Sequence, residues 1–90
     1  MKIDRSNDFD GAVLNCAVRY ALGRQTYMPG LVIDQITPIL KDCSDKTLWC
    51  FERDVSQWLQ ESAKGLIDSA EEWSKFLSAV RKERENRRTD

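Results

Sequence analysis

Arginine and tyrosine side chains are concentrated in residues 19–30. Arg19, Arg24 and two tyrosines lie there on either side of Gly23. A guanidinium matches the geometry of a carboxylate or a phosphate, and tyrosine offers a rigid contact area that can also form hydrogen bonds. One interpretation is therefore a surface that binds an anion or a protein. The other is a helix end at Gly23, where the arginines neutralise the carbonyl groups and the tyrosines are half-buried.

Two carboxylates and a thiol, Glu52, Asp54 and Cys43, are the candidates for catalysis. General acid–base chemistry needs a carboxylate whose pKa is shifted by burial or by a like charge, and nothing near Glu52 and Asp54 indicates such a shift. Cys43 lies in a predicted loop and could be reactive. The chain has no histidine, the usual partner of a nucleophilic thiol and the commonest transition-metal ligand. We therefore expect a protein that is not an enzyme and that holds no metal or other cofactor.

The same carboxylates also have a structural interpretation, which we favour over catalysis. Glu52 or Asp54 would form a buried or half-buried ion pair with an arginine of the first segment. Either Arg19 or Arg24 would provide the guanidinium. Such a pair would tie the first helix to the third.

Trp49 lies off the apolar stripe of its predicted helix, which is defined by Leu48, Phe51 and Val55. Its indole therefore either widens the buried face or is exposed to solvent. Burial is the simpler interpretation. An exposed tryptophan would mark a protein interface, because aromatic residues contribute much of the binding energy in protein recognition.

The last ten residues, 81–90, carry five basic and three acidic side chains. The cations that could contact nucleic-acid phosphates are Arg81, Lys82, Arg84, Arg87 and Arg88. Against this function, glutamates are interspersed, no aromatic residue is interleaved, and cations are expected at any helix C-terminus because of the macrodipole. The alternative is a solvated, frayed helix end.

Cysteine usage and hydropathy bear on the compartment. Cys16, Cys43 and Cys50 are an odd number without C-x-x-C spacing, which argues against a disulfide framework and a zinc site. The apolar stretches are far shorter than the ~20 residues that cross a bilayer, and residues 1–10 contain no apolar signal-peptide core. We therefore expect reduced thiols, no membrane association and a cytoplasmic location. Cys16, on the most apolar helix, is predicted to be buried.

The length of 90 residues predicts a single domain, 1–90, because such a chain can bury one core but not two. Hydrophobic periodicity predicts an all-α bundle of about four helices. Their approximate ranges are 11–25, 30–41, 45–64 and from Asp68 through Val80. Residues 1–9 are expected to form a loose arm, with Asp10 as the first N-cap.

The first helix is apolar over more than half its circumference and is predicted to be the central, most buried one. Its main stripe comprises Val13, Cys16, Ala17 and Tyr20, and Leu14, Val18, Ala21 and Leu22 widen it. Pro38 predicts a kink or stop near Thr37 in the second helix. Ser44 or Asp45 is the predicted cap of the third helix, and Gly65 its C-terminal residue.

Two strings of the sequence resemble a group of known proteins. AVRYALGRQTYMPG, followed by CSDKTLWCFERDV, is similar to small proteins of unassigned role encoded in phages and prophages of Gram-positive bacteria. The resemblance covers residues 12–55. It implies a bacterial cytoplasm and a phage-encoded origin, and by analogy an inhibitor or adaptor that acts on a bacterial protein.

These observations favour a non-enzymatic, helical protein-binding module, which could also form a homodimer. Its predicted contact residues are Arg19, Arg24, Tyr27 and Trp49. The alternative is a nucleic-acid-binding accessory protein that uses the basic residues of 81–90. An enzyme is the least favoured of the three classes.

Overall fold

The structure is a computed structural model that describes residues 8–24, 26–61 and 70–89. This part of the chain forms a 3-10 helix at Thr37–Asp42 and four α-helices: α1 (Asp8–Ala21), α2 (Met28–Ile36), α3 (Asp45–Glu61) and α4 (Ala70–Thr89). It contains no strand, so the predicted all-α class with about four helices is confirmed. Gly65 and Asp68, the predicted end of the third helix and start of the fourth, lie outside the described residues.

Gly23 ends the first helix, as one of the two interpretations of residues 19–30 held, so the helix is shorter than the predicted range 11–25. Its φ of 81° lies in the left-handed region that glycine adopts without steric cost. The Arg24 amide donates to the Ala21 carbonyl at 3.1 Å and closes the turn. At its other end α1 begins at Asp8, inside the segment expected to be a loose arm. Asp10 is therefore within the helix and is not its N-cap.

Local chemistry also sets the ends of the next two helices. Proline lacks an amide proton, and α2 gives way to the 3-10 helix at Thr37, directly before Pro38, which confirms the predicted stop. Ser44 caps α3: its Oγ accepts a hydrogen bond from the Thr47 amide at 3.1 Å. That is the first of the two predicted caps, and the geometry is that of an N-cap bonded to the third helical residue.

The centre of the core lies between α3 and α4. The Phe51 and Phe76 rings lie 5.7 Å apart between centroids, and Trp73 meets Phe76 edge to face at 5.6 Å. All three side chains are almost completely buried. Aromatic residues bury more apolar area than other side chains, so this contact is the main hydrophobic stabilisation of the fold.

Helix α1 faces the core with a different stripe from the predicted one. Leu14, Val18 and Ala21 are buried, whereas Val13 and Tyr20 are exposed. Both sides of the helix are apolar, and periodicity alone does not say which side meets α2 and α3. The predicted main stripe of α1 is therefore wrong: the residues expected only to widen it are the buried ones.

The predicted burial of two cysteines is wrong. Cys16 follows the outer side of α1 and is exposed, although we expected it to be buried. Cys43 lies in the connection before α3, as expected, but it is fully buried rather than accessible, and its thiol donates to the Ile39 carbonyl at 3.5 Å. The reason is that Cys43 directly follows the 3-10 helix and closes its last turn.

Close backbone approaches orient α1 relative to α3. A Cβ atom on Gly11 would overlap the Thr47 hydroxyl, and a Cβ on Gly23 would lie 3.2 Å from Trp58 Nε1. The first pair joins the starts of the two helices, and the second joins their later parts. Helices α1 and α3 therefore run in the same direction, with little space between their first turns.

This close approach predicts that Gly11→Ala destabilises the protein. The added methyl would push against the buried Thr47 side chain, and overpacking of this kind costs about 1–3 kcal/mol. Gly30→Ala is the matched control, because no atom of the described residues lies within 4 Å of a Cβ there; it should be neutral, or stabilise α2 by about 0.5–1 kcal/mol. Thermal unfolding followed by circular dichroism measures both. Equal melting temperatures for Gly11→Ala and the wild type would contradict the proximity of α1 and α3.

Candidate functional site

An arginine and a tyrosine stack at the junction of α1 and α2. The guanidinium of Arg24 lies 3.9 Å from the centroid of the Tyr20 ring. Its Nε also donates to the Tyr20 carbonyl at 3.0 Å, so Arg24 neutralises the end of α1. Tyr20 nevertheless remains 56% exposed. Arg24 therefore stabilises the end of α1, and together with Tyr20 it forms a charged, aromatic pair that is exposed to solvent.

Other predicted contact residues surround this pair. Arg19 and Arg24 line an open groove together with Tyr20, Leu22 and Thr26. Tyr27, at the start of α2, is 78% exposed. We call the four residues Arg19, Tyr20, Arg24 and Tyr27 the α1–α2 corner.

Trp49 is 48% exposed and does not belong to the core. The guanidinium of Arg53, one turn further along α3, lies 4.7 Å from the centroid of its ring. Arg53 Nε in turn donates to Asp54 Oδ1 at 3.1 Å. This hydrogen bond and the carboxylate charge raise the pKa of Arg53 above its ordinary value; like any guanidinium, it is charged at neutral pH. We call Trp49 and Arg53 the tryptophan patch.

A shallow groove of about 290 Å³ adjoins the tryptophan patch. Its other lining residues are Glu52, Ser56, Gln57 and Gln60 of α3 and Arg84 of α4. Apart from the indole, the groove is therefore lined by hydroxyl, amide and charged groups. An apolar anchor within a polar rim is the usual anatomy of a protein interface.

The α1–α2 corner and the tryptophan patch lie on different sides of the protein. Gly23, beside Arg24, approaches Trp58 of α3. Trp49 precedes Trp58 by nine residues, and at about 100° per residue the two indoles leave α3 in opposite directions. The structure therefore brings Arg19, Arg24 and Tyr27 to one junction but does not add Trp49 to it.

The charged C-terminal end of the chain is folded onto the bundle. Helix α4 continues through Thr89. Arg87 Nη1 donates to Asp45 Oδ1 at 2.7 Å, and its Nη2 donates to the carbonyls of Leu40 and Lys41 at 3.2 and 3.1 Å. The Arg87 side chain is only 19% exposed. The helix is therefore continuous to Thr89 and Arg87 packs against the bundle, whereas Arg81, Lys82 and Arg88 are exposed.

Glu52 pairs with a different helix from the predicted one. Its carboxylate accepts a hydrogen bond from Arg84 Nη1 and lies 3.6 Å from Arg81 Nε. We expected an arginine of α1, Arg19 or Arg24, in this place. The prediction is wrong because Glu52 lies on the side of α3 that faces α4.

A sequence signal for the two inner arginines exists and was missed. Trp73, Leu77 and Val80 are buried at spacings of four and three residues. Arg84 and Arg87 continue the same spacing and therefore the same face of α4. Long arginine side chains can cover apolar surface while their guanidinium groups form hydrogen bonds. A buried stripe that is apolar at first and continues with arginine therefore predicts ion pairs between this helix and its neighbours.

The residues considered for nucleic-acid binding are consequently divided. Arg84 and Arg87 are occupied by acceptors of the protein itself. Arg81 also lies near Glu52, while Lys82 and Arg88 are exposed. At about 100° per residue, Lys82 lies on a different side of α4 from Arg88. The structure does not arrange the five cations on one face.

The catalytic candidates take part in local contacts. Glu52 and Asp54 each pair with an arginine, and Cys43 is buried. The second oxygen of Asp54, Oδ2, is buried and accepts no hydrogen bond from the residues that the structure describes. Among the described residues, no three cysteine, aspartate or glutamate side chains are grouped closely enough to hold a metal ion.

No protein family, no curated protein and no solved structure matches this chain. In the described ranges, no helix combines the length and the apolar character that crossing a bilayer requires. The exposed side chains themselves are thus the basis for inferring a function.

The ion pairs of α4 predict unequal contributions from its arginines and its lysine. Arg87→Ala should lower the free energy of unfolding by about 1 kcal/mol, because it removes the charged donor of the half-buried Leu40 carbonyl, while Asp45 and the Lys41 carbonyl are exposed. Lys82→Ala, an equally long cation on the exposed side, should change it by less than about 0.5 kcal/mol. Urea unfolding followed by tryptophan fluorescence measures both variants. Equal stability of the two would show that Arg87 is solvated after all.

Proposed function

We propose that this protein is a non-enzymatic protein-binding module and that the tryptophan patch is its principal contact surface. The observation that carries the proposal is the exposure of Trp49 in a chain that buries Trp73 completely. An exposed indole keeps a large apolar area in water, a cost that binding to a partner removes. Tryptophan and arginine, the two residues of the patch, are among those most enriched in binding hot spots.

The chemistry around Trp49 indicates what a partner would provide. The indole would enter an apolar pocket of the partner, and the charged Arg53 beside it would be matched by a carboxylate. Gln57 and Gln60 along the groove offer amide donors and acceptors for the rim. The partner surface is therefore an apolar pocket next to an acidic side chain.

The α1–α2 corner is a second contact surface in this proposal. Arg19 and Tyr27 are exposed there, beside the stacked pair of Tyr20 and Arg24. Because the Arg24 guanidinium is already stacked on the Tyr20 ring, the Arg24 side chain loses less conformational freedom when a carboxylate binds to it. Because the corner and the tryptophan patch face different directions, one small partner would occupy only one of them.

The resemblance over residues 12–55 supplies the biological context. We propose a phage-encoded origin and an action in the bacterial cytoplasm, as an inhibitor or adaptor of a bacterial protein. Nucleic-acid binding, through Arg81, Lys82 and Arg88, is not part of this proposal. It would require a cationic surface from which Arg84 and Arg87 are withdrawn by their ion pairs.

Substitution of the tryptophan patch should abolish partner capture. The tagged protein would be incubated with lysate of a Gram-positive bacterium, with and without nuclease, and retained proteins would be identified by mass spectrometry. We expect a partner that survives nuclease and is lost with Trp49→Ala and with Arg53→Glu. Leu31→Ala is the matched control, because Leu31 is almost equally exposed but lies on α2.

Circular dichroism should show the same helix content for the three variants and the wild type, since all the substitutions are at exposed positions. A partner retained equally by Trp49→Ala would contradict the assignment of the tryptophan patch. Proteins that are retained only while nucleic acid is intact would instead favour binding through the basic side chains of α4.

A further inference from the structure

The outer side of α1 carries a stripe of residues at alternating spacings of three and four. We call four residues of α1, Asp10, Val13, Ala17 and Tyr20, together with Arg24, which follows the helix end, the outer stripe. Val13 is 46% exposed and Tyr20 is 56% exposed, although both are large hydrophobic residues. This spacing is the one by which two helices pack along a shared seam. Asp10 and Ala17 are half-buried and Arg24 is exposed, so the stripe is a helix-packing face that the described part of the chain covers only in part.

The charges of the outer stripe are ordered along the helix. Asp10 provides a carboxylate in the first turn of α1. Arg24 follows the last turn, and its guanidinium is held over the ring of Tyr20, at the far end of the stripe. The exposed apolar side chains lie between these two charges. The stripe thus runs from acidic through apolar to basic.

We propose that a second copy of this chain docks on the outer stripe, with the two α1 helices antiparallel and a two-fold axis near Ala17. Asp10 lies two turns before Ala17 on α1, and the guanidinium of Arg24, beyond the helix end, is held at Tyr20 on the other side of Ala17. In the antiparallel arrangement, the carboxylate at position 10 of each copy therefore meets the guanidinium at position 24 of the other. Val13 of each copy packs against Tyr20 of the other copy in the same way.

Self-complementarity distinguishes a second copy from an unrelated partner. A two-fold interface requires that one surface match itself after rotation, and a charge order that is acidic at one end and basic at the other meets this requirement. Parallel pairing would place like charges together. Ala17, at the axis, is small enough for the helix backbones to approach closely, and antiparallel helix dipoles also attract each other.

This inference rests in part on the proposed function, because Tyr20 and Arg24 belong to the α1–α2 corner. It specifies that a second copy of the chain binds at this corner. The tryptophan patch lies on α3 and stays accessible. The dimer would therefore present two copies of the patch, which raises the avidity for a partner that has two sites. Loss of the dimer and loss of partner capture are tested with different residues.

A charge-exchange experiment tests the dimer directly. Sedimentation velocity at roughly 10–500 µM covers the weak association expected of an interface below about 1,200 Å². The wild type should show a concentration-dependent dimer. Asp10→Arg alone and Arg24→Asp alone should each weaken association at least tenfold, since each places like charges at both ends of the seam. An equimolar mixture of the two variants should restore the dimer, because every opposed pair is again of opposite charge.

Recovery on mixing separates the interface from misfolding, since a misfolded variant would not associate with the other. Asp34→Arg is the matched control: it reverses an exposed carboxylate on α2, away from the outer stripe, and should leave association unchanged. A wild type that is monomeric at every concentration, or a mixture that stays monomeric, would overturn the proposal. So would a dimer that neither charge reversal weakens.

Cys16 gives an independent measure of the register. It is exposed and adjoins Ala17, so the two copies of Cys16 would lie close to the axis. A bismaleimide with a spacer of roughly 10 Å should cross-link the wild type in high yield and should not cross-link Cys16→Ser; a spacer of this length is matched to residues that face each other across two packed helices. Equal cross-linking of Cys16→Ser would place the interface elsewhere.

Discussion

Antiparallel packing of α3 against α4 holds this small protein together. Phe51 of α3 meets Phe76 and Trp73 of α4 in the centre, and each aromatic side chain removes roughly 150–250 Å² from water. Where the apolar stripe of α4 runs out, Arg84 and Arg87 continue it and pair with α3 and the 3-10 helix. A helix of this length is thereby packed along most of its inner side, although its last turns contain mainly charged residues.

That arrangement leaves α1 with less to contribute than its composition indicates. Leu14, Val18 and Ala21 fill the contact of α1 with α2 and α3. Val13 and Tyr20, on the other side of the helix, therefore remain exposed. A chain of 90 residues has a high ratio of surface to volume, and a helix that is apolar on two sides can then bury only one of them. The exposed side of α1 is a consequence of this geometry, whatever occupies it.

Features governed by neighbouring residues were predictable from the sequence. The backbone at Gly23, the missing amide proton of Pro38 and the hydroxyl of Ser44 act over one helical turn, and each ends or begins a helix where local rules place it. The partner of Glu52 was not predictable in this way. Both α1 and α4 offer arginines, and the choice between them depends on which side of α3 each helix covers.

The candidate site also contains one feature that neighbouring residues decide and one that depends on helix packing. Arg24 was correctly expected at a helix end, because its position after Gly23 decides this. Whether Trp49 was buried could not be read from periodicity, since a broad apolar face and an exposed anchor produce the same pattern. The packing of α4 decides it: Glu52 is on the side of α3 that meets α4, and Trp49 falls just beyond that contact. An indole at the edge of a helix pair has one face directed away from the core, and Arg53 stacks on the Trp49 ring there. The rest of the ring contacts water. A partner that displaced this water would bury apolar area that folding leaves exposed.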